Sequence, residues 1–298
     1  MKKILFVTLS NIGDAVLTTP ALETLHQHYP DATIDLVCDP RSAQLFEYCP
    51  YRGQIFIKNK QDGLAGYLAL IRQIRMQHYD LAVDLKTDFL LWFVRAKIKL
   101  AKVDRTDIHS AIKHHMALDR LHFHAKVPPA KIWMSDDEVH SVAQQMQGKN
   151  SILALGLGAN FEGKIWPVAQ YARLTNLLDD KFDSVMLLGN AKDGERSQAF
   201  KKMVNLPVMD FCGQLNLTQA CSALSQAHYF IGNDSGLGHM AAALGIPTFT
   251  ILGPGEPLRY KPWSDQAHYY QDPALNILNI EADQIYAMIQ LPSFAFSL

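Results

Sequence analysis

Residues 228–253, HYFIGNDSGLGHMAAALGIPTFTILG, hold two short β-rich runs on either side of a small-residue segment. The first run, HYFIG, leads into a turn at Asn233, Asp234 and Ser235. A helix is expected to begin near Gly236, and TFTILG reads as the next strand. Strand, helix, strand is the unit from which parallel sheets are wound. Ser235 or Asp234 is suited to cap the helix. Its free N–H groups and positive dipole end make the helix start a candidate anion site. In the plainer alternative Asp234 only caps the helix, and Gly236 and Gly238 only allow close packing.

Working outward, similar runs recur with amphipathic stretches between them: KILFVTL, TIDLVC, QIFIK and LAVDL early in the chain, then SILALGLG, SVMLLG, HYFIGN and TFTILG. Near-continuous hydrophobicity in such strands fits sheets covered on both faces. The pattern restarts at Ser151, after the polar helix SDDEVHSVAQQMQ and the linker GKN. The fold class expected is therefore α/β, with two Rossmann-like domains over residues 1–149 and 150–298. A length of 298 residues agrees with two domains of about 100–200 residues each. In open α/β sheets ligands sit outside the carboxyl ends of strands. The loops to watch are then SNIGD, GANFEGK, GNAKDGE, NDSGLGH and GPGEP.

Composition narrows the class. Hydrophobic residues at 48% and charged residues at 19% argue for a globular chain and against disorder, and a net charge of −1 selects no partner. Cys38, Cys49, Cys212 and Cys221 are scattered, with no C-x-x-C pair and no zinc-like spacing, so no metal site is expected and a reducing, cytoplasmic location is the simpler reading. The apolar start is interrupted by Asn11, Gly13 and Asp14, too early for a signal peptide. No apolar run reaches the length of a membrane span. The apolar ending LPSFAFSL is expected to dock rather than fray, with packing back onto the first domain as one outcome.

The loop GLGANFEGKIWP gives way from strand to glycines, Lys164 and then Pro167, well placed at a helix start. Lys164 can supply a point charge to a phosphate, or stand as an ordinary loop lysine. Neither a Walker motif nor G-x-G-x-x-G is present: Gly156 and Gly158 have the first spacing, but position 161 is Phe. In SNIGDAVLTTPAL a helix is expected at or just after Asp14, which either caps it or acts as a general base. Residues 86–131 carry ten Lys or Arg against four Asp or Glu, with His109, His114, His115, His122 and His124. That bias suggests an acidic ligand or an anionic membrane face, or else a solvated helical face. Nucleic acid is disfavoured because aromatics are not interleaved with the charges.

Taken together, ILFVTLSNIGDAVLTTPALETL, YDLAVDLKTDF, LGLGANFEGKIWP, FCGQLNLTQACSAL and FIGNDSGLGHMAAALGIPTFTILGPGEP resemble glycosyltransferase family 9, the ADP-heptose:lipopolysaccharide heptosyltransferases. The resemblance implies a glycosyltransferase-B architecture, two Rossmann-like domains facing across a cleft, with acceptor on the first and sugar nucleotide on the second. It implies an inverting, metal-independent transfer of heptose from ADP-heptose to the Kdo or heptose of a lipopolysaccharide or lipooligosaccharide inner core. Asp14 matches the catalytic carboxylate and Lys164 the lysine that binds the diphosphate. Asp234, Ser235, Gly236 and His239 match the donor loop. Glu195 aligns with a ribose-contacting acid, and the backbone near Leu215 with the adenine.

Two positions depart from the family pattern. Asn160 stands where a hydroxyl residue often precedes the lysine, so phosphate contacts there are expected from the backbone. Gly255 stands where Thr or Ser is usual. The acceptors implied are anionic Kdo-lipid A or heptosylated core, which makes Lys86 and Arg105 candidate acceptor contacts. The location implied is cytoplasmic, with a peripheral contact at the cytoplasmic face of the bacterial inner membrane. No cofactor beyond the ADP-sugar donor and no nucleic acid partner is implied. Two alternatives stay open: the same fold using another nucleotide sugar, and a catalytically silent sugar-nucleotide or saccharide-binding protein.

Overall fold

The eight runs named above all become strands, and their burial explains why. In the computed structural model, which describes residues 1–86, 89–123, 126–146, 148–289 and 291, the central strands are buried at nearly every position on both faces. The chain divides into two units, Met1–Met134 and Ser135–Leu298.

The first unit runs β1 Lys3–Val7, α1 Ile12–Val16, α2 Thr19–His28, β2 Thr33–Cys38, β3 Arg52–Ile57, α3 Gly63–Arg75, β4 Tyr79–Asp84, α4 Leu90–Phe93, β5 Ala96–Ala101 and α5 Ser110–Met116. Its strands are parallel, in the order β3-β2-β1-β4-β5. Leu70, Ile71 and Ile74 of α3 pack with Leu90 and Val94 onto Leu5, Val7, Val37 and Phe56 of the sheet. Strand order reverses between β1 and β4. Connections leave a crevice at such a switch point, and it is the place where ligands settle in doubly wound sheets.

The second unit runs α6 Asp136–Gln145, β6 Ile152–Gly156, α7 Val168–Leu177, β7 Ser184–Leu188, α8 Gly194–Lys201, β8 Val208–Asp210, α9 Leu217–Leu224, β9 Tyr229–Asn233, α10 Gly236–Ala243, β10 Thr248–Leu252, α11 Pro257–Tyr260, β11 Ala267–Gln271 and α12 Ala282–Met288. This parallel sheet has the order β11-β10-β9-β6-β7-β8. Its switch point lies between β6 and β9. Trp166, Tyr171 and Phe200 fill the core on one face together with Ile277, Ile280 and Ile285.

Three strands were not anticipated from sequence, β5, β8 and β11, and all are sheet edges. In β5, AKIKLA, the lysines alternate outward and blunt an edge that would otherwise offer unpaired backbone groups. Much of the basic bias of residues 86–131 is thus structural: Lys97 pairs with Asp80 at 2.7 Å, His109 Nδ1 accepts from the Ala111 N–H at the start of α5, and His114 and His115 are buried.

The unit boundary falls about one helix before the expected residue 150. The polar sequence of α6 made it read as the last helix of the first domain, yet Val142 and Met146 are buried, and Thr218 Oγ1 on α9 donates to Glu138 Oε1 at 3.0 Å. The covered apolar side of α6 ties it to the second unit. Leu291 packs against the second core, while the rest of the apolar ending, residues 292–298, lies outside the described residues.

Candidate functional site

In the second unit, the loops leaving β6, β9 and β10 converge at the switch point. Asn233, at the end of β9 and fully buried, organises them. Its Oδ1 accepts from the Trp166 N–H at 2.9 Å, while its Nδ2 donates to the Leu157 carbonyl at 3.0 Å and reaches the Gly158 carbonyl at 3.4 Å. One side chain therefore pins both ends of the 157–166 loop. Trp166 is locked further by its Nε1–H, which donates to the Ile280 carbonyl at 2.8 Å. From the other side, a Cβ on Gly253 would stand 2.5 Å from the Gly163 carbonyl oxygen and 3.3 Å from Lys164 Cα. Only glycine lets the loop after β10 come this close.

Held in this way, Lys164 reaches Asp234. Its Nζ donates to Asp234 Oδ2 at 2.6 Å, with the two side chains 30% and 18% exposed. Asp234 therefore pairs with the lysine and does not cap the helix behind it. Ser235 is the N-cap by backbone geometry, extended at φ −148°, but its side chain makes no capping bond. The Ser235 Oγ is buried and has no hydrogen-bond partner among the described residues. The first-turn N–H groups from Gly236 onward are thus not taken by a side-chain cap, and His239 lies buried one turn further in. Gly255 borders the pair: a Cβ there would be 3.7 Å from Asp234 Oδ2.

The remaining donor-side candidates follow the sheet outward along β6, β7 and β8. Asn160 is exposed in the loop after β6, Glu195 is exposed in the first turn of α8, and Leu215 is half-buried in the loop after β8. These loops are tied to one another. The Asp193 carboxylate packs against Gly158, where a Cβ would sit 2.1 Å from Asp193 Oδ1. Arg196 donates to Glu162 Oε1 at 2.6 Å and reaches Asp193 Oδ1 at 3.4 Å. Gly213, at φ +72°, donates its N–H to the Gly189 carbonyl at 2.9 Å and would strike Ala191 Cα with any Cβ.

The first unit repeats the arrangement with other residues. Its switch point carries the loop after β1 and Lys86 after β4; Lys86 Nζ donates to Ser10 Oγ across it at 2.6 Å, and its N–H to Asp84 Oδ1 at 2.9 Å. Asp14 is the third residue of α1, not its cap. The N-cap is Asn11, whose Nδ2 donates to Asp14 Oδ2 at 2.9 Å. Asn11 is held in turn by Arg41, which donates to its Oδ1 at 3.3 Å, and Arg41 is anchored on Asp39 at 2.9 Å. The Arg41 guanidinium keeps the Asp39 carboxyl down at about 2. Arg105 lies beyond β5 and is engaged by Asp107, Nε to Oδ1 at 2.8 Å, with both side chains exposed. Asp14 and Lys86 thus share one switch point, while Arg105 stands apart from it.

Sequence reading missed Asn233, Asn11, Asp193, Arg196 and Gly253. The first two sit beside motif residues and read as turn formers, so their side-chain bonds were not foreseeable from spacing. No group of three or more His, Cys, Asp or Glu side chains is placed to hold a metal ion among the described residues. No helix among them is long and apolar enough to cross a membrane.

Two doubly wound parallel sheets, each with a lysine bonded across its switch point, place the chain among ligand-binding α/β proteins of paired Rossmann-like construction. The chain belongs to glycosyltransferase family 9 (heptosyltransferase), whose family model matches residues 88–276. It is thus a glycosyltransferase. It is similar to lipooligosaccharide heptosyltransferase 2 of Campylobacter jejuni, 24% identical over 266 residues that cover 86% of this chain and 82% of the relative. Among solved structures, ADP-heptose lps heptosyltransferase II of E. coli superposes with a TM-score of 0.80 at 22% identity, covering 96% of this chain and 97% of that one. E. coli heptosyltransferase WaaC with ADP does so at 0.80 and 17%, covering 96% and 98%. These two likenesses bear on the fold.

Proposed function

We propose that the protein transfers a heptose from ADP-heptose to the inner core of lipopolysaccharide or lipooligosaccharide, onto Kdo or heptose, with inversion and without a metal. The observation that carries this is the Lys164–Asp234 pair at the β6/β9 switch point, beside a helix start that no side chain caps. Family membership and relatives named for heptose transfer support the sugar and acceptor class. The E. coli structure with ADP supports the nucleotide.

In this reading the α10 N–H groups, Ser235 and Gly236 receive the donor's diphosphate, with Lys164 as its counter-charge and Asn160 offering backbone contacts. Asp234 orients the lysine and the sugar or phosphate edge, with His239 beneath. Glu195 meets the ribose and the backbone at Leu215 the adenine. Asp14, aimed by Asn11, removes the proton from the acceptor hydroxyl. That oxygen bonds to the anomeric carbon from the face opposite the diphosphate, the carbon–oxygen bond to phosphate breaks, and the electron pair leaves on ADP. Preorganised donors facing a charge that develops during reaction are the strongest catalytic device available to such a site. Lys86 and Arg105 meet acidic groups of the acceptor. Work of this kind belongs in the cytoplasm, peripheral to the inner membrane where a lipid-anchored acceptor lies.

The test incubates purified protein with ADP-heptose and Kdo-containing lipid A and follows ADP release, beside Asp14→Asn. The expected loss for the variant is about 10²–10⁴-fold in turnover with donor binding retained. An equally active variant would overturn the role of Asp14. Turnover only with another nucleotide sugar, or ADP-sugar binding without turnover on any core acceptor, would replace the proposal with one of the alternatives above.

A further inference from the structure

Large apolar side chains left in solvent are ordinary when scattered and informative when gathered. In the first unit, Leu64 is 73% exposed and Leu68 56% on α3, and Phe89 is 69%, Trp92 78% and Phe93 40% exposed at α4. Helices α3 and α4 cover the same sheet face, their inward residues sharing one core. Each starts just after the strand before it, so the first turns of α3 and the whole of α4 lie at the carboxyl edge of the parallel sheet. Leu64, Leu68 and the exposed Arg72 follow one another at four-residue spacing along the flank of α3. Phe89 and Trp92 meet edge to face at 5.5 Å, and Phe89 is held outward from a left-handed backbone, φ 60°, which a bulky residue adopts only at a cost.

Cations border these side chains. Lys58 and Lys60 lie in the loop into α3, beside a shallow hollow lined by Gly63, Gly66 and Tyr67, with Lys58 Nζ 5.0 Å over the Tyr67 ring. Arg95 is exposed just past α4. The carboxylate in the Lys58–Lys60 loop region, Asp62, is engaged by Asn59 Nδ2 at 2.9 Å. Protruding Trp, Phe and Leu rimmed by Lys and Arg is the composition that suits the boundary between acyl chains and anionic headgroups.

We propose that this edge of the first unit docks on an anionic lipid bilayer, with Trp92, Phe89, Leu64 and Leu68 entering the interfacial layer and Lys58, Lys60, Arg72 and Arg95 meeting lipid phosphates. The choice of a membrane as partner rests on the proposed function, because the same sheet edge carries Asp14 and Lys86 and the acceptor class is lipid-anchored. Apolar insertion and cation pairing act together, so binding weakens with salt and with loss of either set.

The experiment sediments the full chain with vesicles of phosphatidylethanolamine and phosphatidylglycerol, against vesicles of phosphatidylcholine, without substrate. Binding to the anionic vesicles, quenching of tryptophan emission by brominated acyl chains, and loss of that quenching in Trp92→Phe with binding kept are the expected results. Leu68→Ser with Trp92→Ser should weaken partitioning about tenfold or more, while turnover on a delipidated, water-soluble acceptor stays at the wild-type rate. Failure of the wild-type chain to bind, or binding unchanged in the double variant, overturns the proposal. So does a dimer that the double variant dissociates while vesicle binding persists, which would make the face an interface between copies. A wild-type chain that binds vesicles yet turns over no acceptor overturns the proposed function while supporting the docking surface.

Discussion

Replacing Asn233 tests how far one buried side chain shapes the donor loops. Asn233→Ala removes an acceptor from the Trp166 N–H, at 2.9 Å, and a donor from the Leu157 carbonyl, at 3.0 Å. Each buried group left unsatisfied costs about 1–3 kcal/mol, so the second unit should lose about 2–6 kcal/mol of a stability that is typically about 5–15. With a urea dependence of about 1–3 kcal/mol per molar, its unfolding midpoint should fall by at least about 0.7 M. Asn233→Asp has the same shape and a different signature. Its second oxygen faces the Leu157 carbonyl and is satisfied only when protonated, so burial and that opposed carbonyl raise the folded carboxyl above its unfolded value. A group with a raised folded value contributes stability at low pH and loses it as pH rises through that value. Asn233→Asp should therefore gain on Asn233→Ala as pH falls from 7 toward 5. Hydrogen exchange read on peptides of residues 135–289 at graded urea separates this unit from the first. Equal midpoints for wild type and Asn233→Ala, or parallel pH profiles for the two variants, would refute the reasoning.

Three further outcomes are expected. Lys164→Met should weaken ADP binding at least about tenfold and flatten its salt dependence, because a charge facing the diphosphate is lost while the stem still packs; calorimetry at two ionic strengths reads both. Gly253→Ala should impair donor binding by forcing the Gly163–Lys164 backbone aside, whereas Gly255→Ser, with its Cβ 3.7 Å from Asp234 Oδ2, should be accommodated and place a hydroxyl near that carboxylate; the two variants' donor affinities check it. Burial pushes His114 down to about 3 and also lowers His115. His114 stays neutral when folded and protonates near 6.5 when unfolded, so the first unit should lose stability as pH falls below about 6.5, by up to about 1.4 kcal/mol per pH unit for this group, and His115 acts in the same direction. Acid unfolding followed on peptides of residues 1–134 should shift to lower pH in His114→Leu.

What sequence could show depended on how local the cause was. The buried strands are legible because a strand covered on both faces must be apolar along its whole length, and TIDLVC and SVMLLG say so unaided. The edge strands β5, β8 and β11 were illegible for the same reason: one side faces water, the runs turn mixed or short, and their strand character comes from the neighbour they pair with. The family resemblance located Asp14, Lys164 and Asp234, and spacing alone left each balanced between a cap or loop role and chemistry. Helix α6 was misassigned because the polar side dominates its sequence, while the few apolar residues that decide its allegiance matter only against α9.

By itself, then, the sequence determined two parallel α/β sheets, the loops at their carboxyl ends and the family. Tertiary structure decided the partners. Lys164 meets Asp234 seventy residues away because β6 and β9, distant in sequence, are neighbours at the reversal of strand order. The Asn233 clamp and the Gly253 approach follow from that adjacency. Pairing across a switch point is a property of the whole sheet, so the residues on either side carry no local trace of one another.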